Sequence, residues 1–263
     1  MLKSRIITAV ILLLLLLLVL FALPGSWWTA VVVLMVMQGV FEWSKLSGLT
    51  RAQALIYAAL TLLLMPVLIA SSFPHMWIYA ASLLLWAVLV PVWMARGFRL
   101  ENRLLMCIAG WAVLLPTGFA MMDLRAASPW LLLIAMSLVW VADIGAYFSG
   151  RKFGKHKLAP GISPGKTWEG VAGALLCTSI YALIVWYVVG QKQEVPPAVF
   201  VLPAVWVWVA LAVLGDLFES LIKRQAGVKD SGSLLPGHGG LLDRIDALTS
   251  TLPLAAMIML MRG

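Results

Sequence analysis

The chain has 263 residues, of which 63% are hydrophobic and only 11% are charged, and its mean hydropathy is +1.00. A soluble domain usually carries about a quarter charged residues, and a water-soluble protein of this composition would expose apolar patches large enough to cause aggregation. The formal net charge of +8 would suggest nucleic-acid binding in a soluble protein, but in a membrane protein it reflects loop orientation and attraction to anionic lipid head groups, so no nucleic-acid partner is expected.

Long apolar runs, separated by polar or turn-forming stretches, predict an all-α, polytopic integral membrane protein with about nine transmembrane helices. The predicted spans are 6–23, 27–44, 53–70, 76–94, 104–122, 129–148, 169–190, 198–218 and 247–261. The first span resembles a signal peptide because Lys3 and Arg5 precede it. Its leucine run is too long for one, however, and no typical cleavage site follows, which indicates a retained helix.

The positions of the 19 Lys and Arg residues predict the orientation. If the N-terminus is cytoplasmic, all of them lie on the cytoplasmic side except Arg125, Lys192 and Arg262. Adding or removing one span in the middle of the chain would destroy this asymmetry. The nine-span arrangement is therefore preferred, and it predicts that the C-terminus lies outside. Short outer loops and the lack of an added targeting region favour a bacterial inner membrane, with the active site facing the cytoplasm.

Two predicted cytoplasmic loops, 149–168 and 219–246, are much longer than the outer connections. Long polar loops on a compact scaffold are where function tends to lie. We therefore divide the chain into an N-terminal transmembrane region, 1–103, with helices 1–4, and a catalytic transmembrane region, 104–263, with helices 5–9 and both loops.

Carboxylates at the ends of apolar helices indicate a functional site. Asp143 and Asp216 lie in such positions, where a carboxylate is costly unless it is paired, bound to metal or facing water. Asp243 and Asp246 are spaced i,i+3 and would share one face of the first turn of the last helix. Because Mg²⁺ prefers oxygen ligands and is often bound together with substrate phosphates, we predict that it is held by Asp216, Asp243 and Asp246. A second metal ion is left open.

Cations and glycines accompany these carboxylates. Lys223, Arg224 and Lys229 would supply positive charge to phosphate oxygens, and Gly239 and Gly240 would let backbone N–H groups approach an anion. Taken singly, each cation is equally compatible with a solvated loop at the membrane surface. Together with the carboxylates they fit phosphoryl or nucleotidyl transfer.

Two segments carry a family resemblance. The first contains Ser220, Lys223-Arg224, Lys229-Asp230, Gly232, Leu235-Pro236, His238-Gly239-Gly240, Asp243-Arg244 and Asp246. The second contains Asp143-Ile-Gly-Ala-Tyr147, Gly150-Arg-Lys-Phe-Gly154-Lys155 and Ser163-Pro-Gly-Lys166-Thr167-Trp-Glu-Gly170. These residues resemble the signature and the other cytoplasmic motifs of the phosphatidate cytidylyltransferases, also called CDP-diacylglycerol synthases. The similarity covers essentially the whole chain and is weakest over the first hundred residues.

The resemblance implies a metal-assisted nucleotidyl transfer of phospholipid biosynthesis, in which CTP and phosphatidate give CDP-diacylglycerol and pyrophosphate with Mg²⁺ as cofactor. The predicted catalytic residues are Lys223, Arg224, Asp243 and Asp246. The predicted substrate-binding residues are Asp143, Tyr147, Ser163, Lys166, Thr167, Ser220, Lys229, Asp230, His238, Gly239, Gly240 and Arg244. A Lys223→Ala variant is expected to fold normally and to lose most of its turnover.

Three other functions remain open at this stage. A CTP-dependent isoprenoid or polyprenol lipid kinase would release CDP instead of pyrophosphate, and a cytidylyltransferase for isoprenoid-ether lipids would differ only in its lipid substrate. A membrane transporter would place its carboxylates near the middle of the membrane on broken helices. The expected partners are CTP, phosphatidate and membrane lipids, and a homodimer is left open.

Overall fold

The computed structural model describes residues 2–71, 73–191, 195–234 and 239–261, with side chains at 11 and from 13 onward within those ranges. The helices are α1 (Leu2–Ala22), α2 (Gly25–Leu46), α3 (Arg51–Ala70), α4 (His75–Leu84), α5 (Val90–Arg96), α6 (Arg103–Ala127), α7 (Pro129–Phe153), α8 (Trp168–Gly190), α9 (Val201–Gln225) and α10 (Leu242–Leu260). A π-helical turn (Leu85–Leu89) joins α4 to α5, and a 3₁₀ turn (Ala198–Phe200) precedes α9. The predicted all-α polytopic membrane fold is confirmed.

Each of the nine predicted spans overlaps a helix or a continuous helical run. By length and composition, seven helical segments of the described chain can cross a membrane: α2, α3, the run from α4 to α5, α6, α7, α8, and α9 with its 3₁₀ turn. Within α1 only Leu13–Ala22 counts as a shorter apolar helix, and α10 begins with a charged turn. The protein is an integral membrane protein, whereas the count of nine and the orientation of both ends stay predictions.

The most polar of the long helices, α10, lies inside the bundle. It packs against α9 and α6, and Leu248, Leu252 and Ala256 are buried there. Ser250 is also buried, and its Oγ donates to the carbonyl of Leu211 on α9 at 2.7 Å. Enclosure by other helices explains how α10 tolerates polar side chains, because their hydrogen bonds are satisfied within the protein.

Helices α7 and α8 approach each other closely because small residues lie between them. A Cβ placed on Gly145 would be 2.8 Å from the carbonyl oxygen of Gly173. Between the two helices, β1 (Lys157–Ala159) and β2 (Ser163–Thr167) form a short antiparallel hairpin. The hairpin is the one sheet among the described residues.

Both predicted loops are shorter in the structure than in the sequence-based prediction. Helix α7 continues to Phe153 and α9 to Gln225, while α10 already begins at Leu242, so the connections span 154–167 and 226–241. The predicted bounds followed the end of the apolar run, whereas the helical backbone continues into the polar residues beyond it. The catalytic candidates Lys223, Asp243 and Asp246 therefore lie on helices.

Candidate active site

An ion pair joins the two motif-bearing segments. Lys166, on β2, places its Nζ 2.5 Å from Oδ2 of Asp216, on α9. Ser220 lies one turn further along α9, and its Oγ donates to Oδ1 of Asp216 at 3.4 Å. Lys166 from the predicted loop 149–168 thus lies beside Asp216 at the end of the predicted span 198–218, and Asp216 also binds Ser220 from the predicted loop 219–246.

A second and more buried ion-pair cluster surrounds Lys223. Its Nζ lies 2.6 Å from Oδ1 of Asp243 and 2.9 Å from Oε2 of Glu219. The exposed fractions of the three side chains are 12% for Lys223, 9% for Asp243 and 7% for Glu219. A lysine in such surroundings is held in place by its two carboxylates, and this favours a single orientation of its ammonium group.

Asp243 binds the connection 226–241 as well as Lys223. Its Oδ2 accepts hydrogen bonds from the backbone N–H of Ser231 at 3.0 Å, the hydroxyl of Ser231 at 3.0 Å and the backbone N–H of Gly240 at 2.8 Å. Gly239 has a φ of 78°, in the left-handed region that favours glycine. The sequence predicts that an anion approaches the glycine backbone. In the structure, the anion bound by the N–H of Gly240 is the carboxylate of Asp243.

Further carboxylates lie beside these two clusters. Asp246, on α10, is within electrostatic range of Asp216, Glu219 and Asp143, and Asp143 is also within range of Lys166 and Arg244. Oε1 of Glu219 is buried and has no hydrogen-bond partner in the described part of the chain. Such a concentration of carboxylates suits the binding of a cation, which would offset their mutual repulsion.

Within the described residues, no three His, Cys, Asp or Glu side chains form a preassembled metal site. A magnesium ion is usually bound by one or two carboxylates together with waters and substrate phosphates. Asp216 and Asp246 therefore fit a divalent cation that completes its coordination with substrate.

A cavity of about 530 Å³ opens beside the Lys166–Asp216 pair. Its lining combines the polar side chains of Asp143, Tyr147, Lys166 and Asp216 with Ala174 and other small apolar residues. Ligand cavities commonly have volumes of about 300–1,000 Å³ with a few convergent polar groups. This cavity can receive a ligand that combines phosphate with apolar chains.

The remaining predicted residues have varied surroundings. Thr167 lines the cavity and caps α8, since its Oγ1 accepts a hydrogen bond from the N–H of Gly170 at 3.1 Å. The hydroxyl of Tyr147 accepts from Nη1 of Arg151 at 2.9 Å. The exposed side chains are Tyr147, Arg224, Lys229, Asp230 and Arg244. Ser163 lies on β2, and His238 lies outside the described residues.

Sequence reasoning missed two buried carboxylates. Neither Glu219, on α9, nor Glu42, on α2, is among the predicted site residues. Glu42 is completely buried and accepts hydrogen bonds from the N–H groups of Leu241 and Leu242 at 2.8 and 2.9 Å. A lone charged residue within an otherwise apolar span was the signal that could have identified it.

Replacing Gly240 with alanine should lower activity strongly. A Cβ at this position would overlap Oγ of Ser231 and Oε2 of Glu42, so the connection would have to move away from Asp243. Overpacking of this kind costs about 1–3 kcal/mol, and we expect turnover to fall at least about tenfold. The matched control is Gly161→Ala in the hairpin turn, where a Cβ would meet no described atom within 4 Å. Equal activity in the two variants would contradict the prediction.

Comparison with known proteins gives a consistent result. Residues 3–261 match the model of the cytidylyltransferase family. The chain is 38% identical over 279 residues to a phosphatidate cytidylyltransferase of Pseudomonas aeruginosa, covering 100% of this chain and 98% of that protein. It is 46% identical over 169 residues to the enzyme of that name from Haemophilus influenzae, covering 59% of this chain and 57% of that protein. It is 44% identical over 138 residues to a phosphatidate cytidylyltransferase of Staphylococcus aureus, covering 49% of this chain and 48% of that protein.

Proposed function

The chain belongs to the cytidylyltransferase family, and we propose that it transfers the cytidylyl group of CTP to phosphatidate, giving CDP-diacylglycerol and pyrophosphate. The observation that supports this function best is the pairing of Lys166 with Asp216 at 2.5 Å. It brings Lys166 of one motif segment beside α9, which carries the first residues of the other, and both side chains line a cavity with polar and apolar residues. Such a cavity suits a substrate with a phosphate head and lipid chains.

The reaction requires a phosphate oxygen of phosphatidate to attack the α-phosphorus of CTP. The new P–O bond forms as the bond between the α-phosphorus and the bridging oxygen breaks, and that oxygen leaves with pyrophosphate. Because a phosphomonoester has a second pKa of about 6, the attacking oxygen is already largely ionised near neutral pH. The chain's task is therefore to hold two anions together and to neutralise their charge.

We assign charge neutralisation to Lys166 and Lys223 and metal binding to Asp216 and Asp246. A bound Mg²⁺ would supply Lewis-acid stabilisation of the phosphate oxygens. The metal role of Asp243 stays a prediction. Its bonds to Lys223, Ser231 and Gly240 support a positioning role, since it holds the lysine with Oδ1 and the backbone of the connection 226–241 with Oδ2.

We further propose that the site faces the cytoplasm of a bacterial inner membrane. The distribution of Lys and Arg supports this orientation, and so does the use of CTP, a cytoplasmic nucleotide. The homodimer and the second metal ion stay predictions.

The decisive experiment uses purified protein with CTP labelled at the α-phosphate and Mg²⁺, supplied in parallel reactions with phosphatidate, an isoprenoid alcohol or an isoprenoid-ether lipid phosphate. Transfer of the label to lipid, with an equal amount of pyrophosphate, is the expected result. Release of labelled CDP together with a phosphorylated isoprenoid would indicate a lipid kinase. Label on an ether lipid but not on phosphatidate would indicate another acceptor, and absence of label from every lipid would contradict the proposal.

A further inference from the structure

Glu42 is a completely buried carboxylate in the N-terminal region. Among the described residues it forms no ion pair, and it accepts four hydrogen bonds instead. On Oε1 the donors are Gln38 Nε2 at 2.9 Å and Leu241 N at 2.8 Å. On Oε2 they are Ser231 Oγ at 2.8 Å and Leu242 N at 2.9 Å. Two carboxylate oxygens offer about four acceptor positions, so this set uses its full capacity.

Three of the four donors belong to residues 231–234 and 239–242, which we call the clamped segment. Two of them, the N–H groups of Leu241 and Leu242, lie at the start of α10. This helix has no side-chain cap of its own, and a helix N-terminus favours a nearby negative charge. Glu42 therefore takes the place of a capping residue for α10 while lying about 200 residues away in the sequence.

The backbone of the clamped segment closes directly on Glu42. A Cβ on Gly232 would lie 2.9 Å from Oε1, and one on Gly240 would overlap Oε2. The absence of side chains at these two positions lets the segment reach the carboxylate. Gly232 and Gly240 thus leave room for the carboxylate of Glu42, which accepts hydrogen bonds from three donors of the clamped segment.

A chain of hydrogen bonds leads from Glu42 through Ser231 and Asp243 to Lys223. The hydroxyl of Ser231 lies 2.8 Å from Oε2 of Glu42 and 3.0 Å from Oδ2 of Asp243. Its single hydrogen can serve only one of these acceptors at a time, while the backbone N–H of Ser231 continues to bind Asp243. Asp243 in turn holds Lys223 at 2.6 Å. Moving Glu42 would therefore displace the lysine assigned to the phosphates.

We propose that Glu42 is a positioning residue for cytidylyl transfer: it fixes the clamped segment and, through Ser231 and Asp243, the location of the Lys223 ammonium group. This inference rests on the proposed function. It also extends the site beyond the catalytic region predicted at 104–263, because the N-terminal region supplies the residue that orders it.

The test compares Glu42→Gln with wild type. Glutamine has the same shape, but one acceptor oxygen becomes a donor, so two of the four N–H or O–H groups lose their acceptor. We expect kcat to fall at least about tenfold, with a smaller change in KM for CTP. Hydrogen–deuterium exchange of the peptide 226–245 should also become faster.

Asp123→Asn is the matched control. Asp123 is a partly buried carboxylate that pairs with His75 at 2.7 Å and accepts from Tyr79 at 2.6 Å, and within the described residues it makes no hydrogen bond to the clamped segment. Its replacement should leave kcat and exchange in 226–245 unchanged. An equal loss in this control, wild-type kcat in Glu42→Gln, or unchanged exchange in that variant would each overturn the inference.

Ser231→Ala provides a second variant in case Glu42→Gln fails to accumulate. It removes one donor to Glu42 and should accelerate exchange in 226–245 with a several-fold loss of kcat, whereas wild-type behaviour would overturn the inference. The exchange measurement needs no substrate. If the wild-type protein makes no CDP-lipid, the proposed function fails, while exchange still tests whether Glu42 holds the segment.

Discussion

Replacing Lys223 with methionine should lower both the stability of the helix bundle and the rate of cytidylyl transfer. The lysine lies between Glu219 and Asp243, and removing one partner of a buried ion pair costs about 3–5 kcal/mol. Loss of a charge that stabilises the transition state should lower kcat by about 100-fold or more. Thermal unfolding of the purified protein and steady-state kinetics measure the two effects.

A double variant separates these effects. Glu219 loses its one described hydrogen-bond partner when Lys223 is removed, whereas Asp243 keeps its bonds to Ser231 and Gly240. Adding Glu219→Gln to Lys223→Met should therefore restore much of the stability without restoring turnover. Recovery of both would mean that Lys223 serves folding and not the phosphates. The ion pairs thus predict an effect on folding, whereas the sequence alone predicts that a variant without Lys223 folds normally.

Replacing Asp246 with asparagine should abolish most metal-dependent turnover. Asp246 lies within electrostatic range of Asp216, Glu219 and Asp143, so it belongs to the group of carboxylates to which we assign Mg²⁺ binding. A metal ion contributes several kcal/mol of transition-state stabilisation, and we expect kcat to fall by about 100-fold or more. The Mg²⁺ concentration for half-maximal activity should also rise. Activity titrated with Mg²⁺ and with Mn²⁺ measures both changes.

Asp123→Asn is again the control, because it removes a carboxylate from a separate cluster with His75 and Tyr79. It should retain the metal dependence of the wild type. Full activity of Asp246→Asn at an unchanged Mg²⁺ requirement would contradict the metal assignment. The predicted role of Asp243 can be tested in the same way: a metal ligand would shift the Mg²⁺ requirement, whereas a positioning residue would lower kcat without that shift.

The fold class and the motif-bearing segments could be predicted from the sequence because they depend on local patterns. Apolar runs of sufficient length must form helices in a membrane, since every backbone polar group needs a partner there. The helices observed overlap all nine predicted spans. The i,i+4 spacing of Glu219 and Lys223 likewise predicts a helical pair, and the structure shows it.

The sequence could not predict where the helices of the site end or which of its side chains meet. Both depend on contacts between residues that are distant in the sequence. Hydropathy marks where a run ceases to be apolar but not where its helix ends, so both loops were predicted too long. No local pattern could pair Lys166 with Asp216 or show that Asp243 accepts hydrogen bonds from Ser231 and Gly240.

By itself, the sequence determined that this is a helical membrane protein and predicted most of the carboxylates and cations of the candidate site, because composition and spacing are local properties. The tertiary structure alone decided which of these charges meet. The clearest case is Glu42, whose bond to Leu242 spans 200 positions. Its burial is acceptable only because packing brings four donors to one carboxylate, and no count of residues along α2 contains that information.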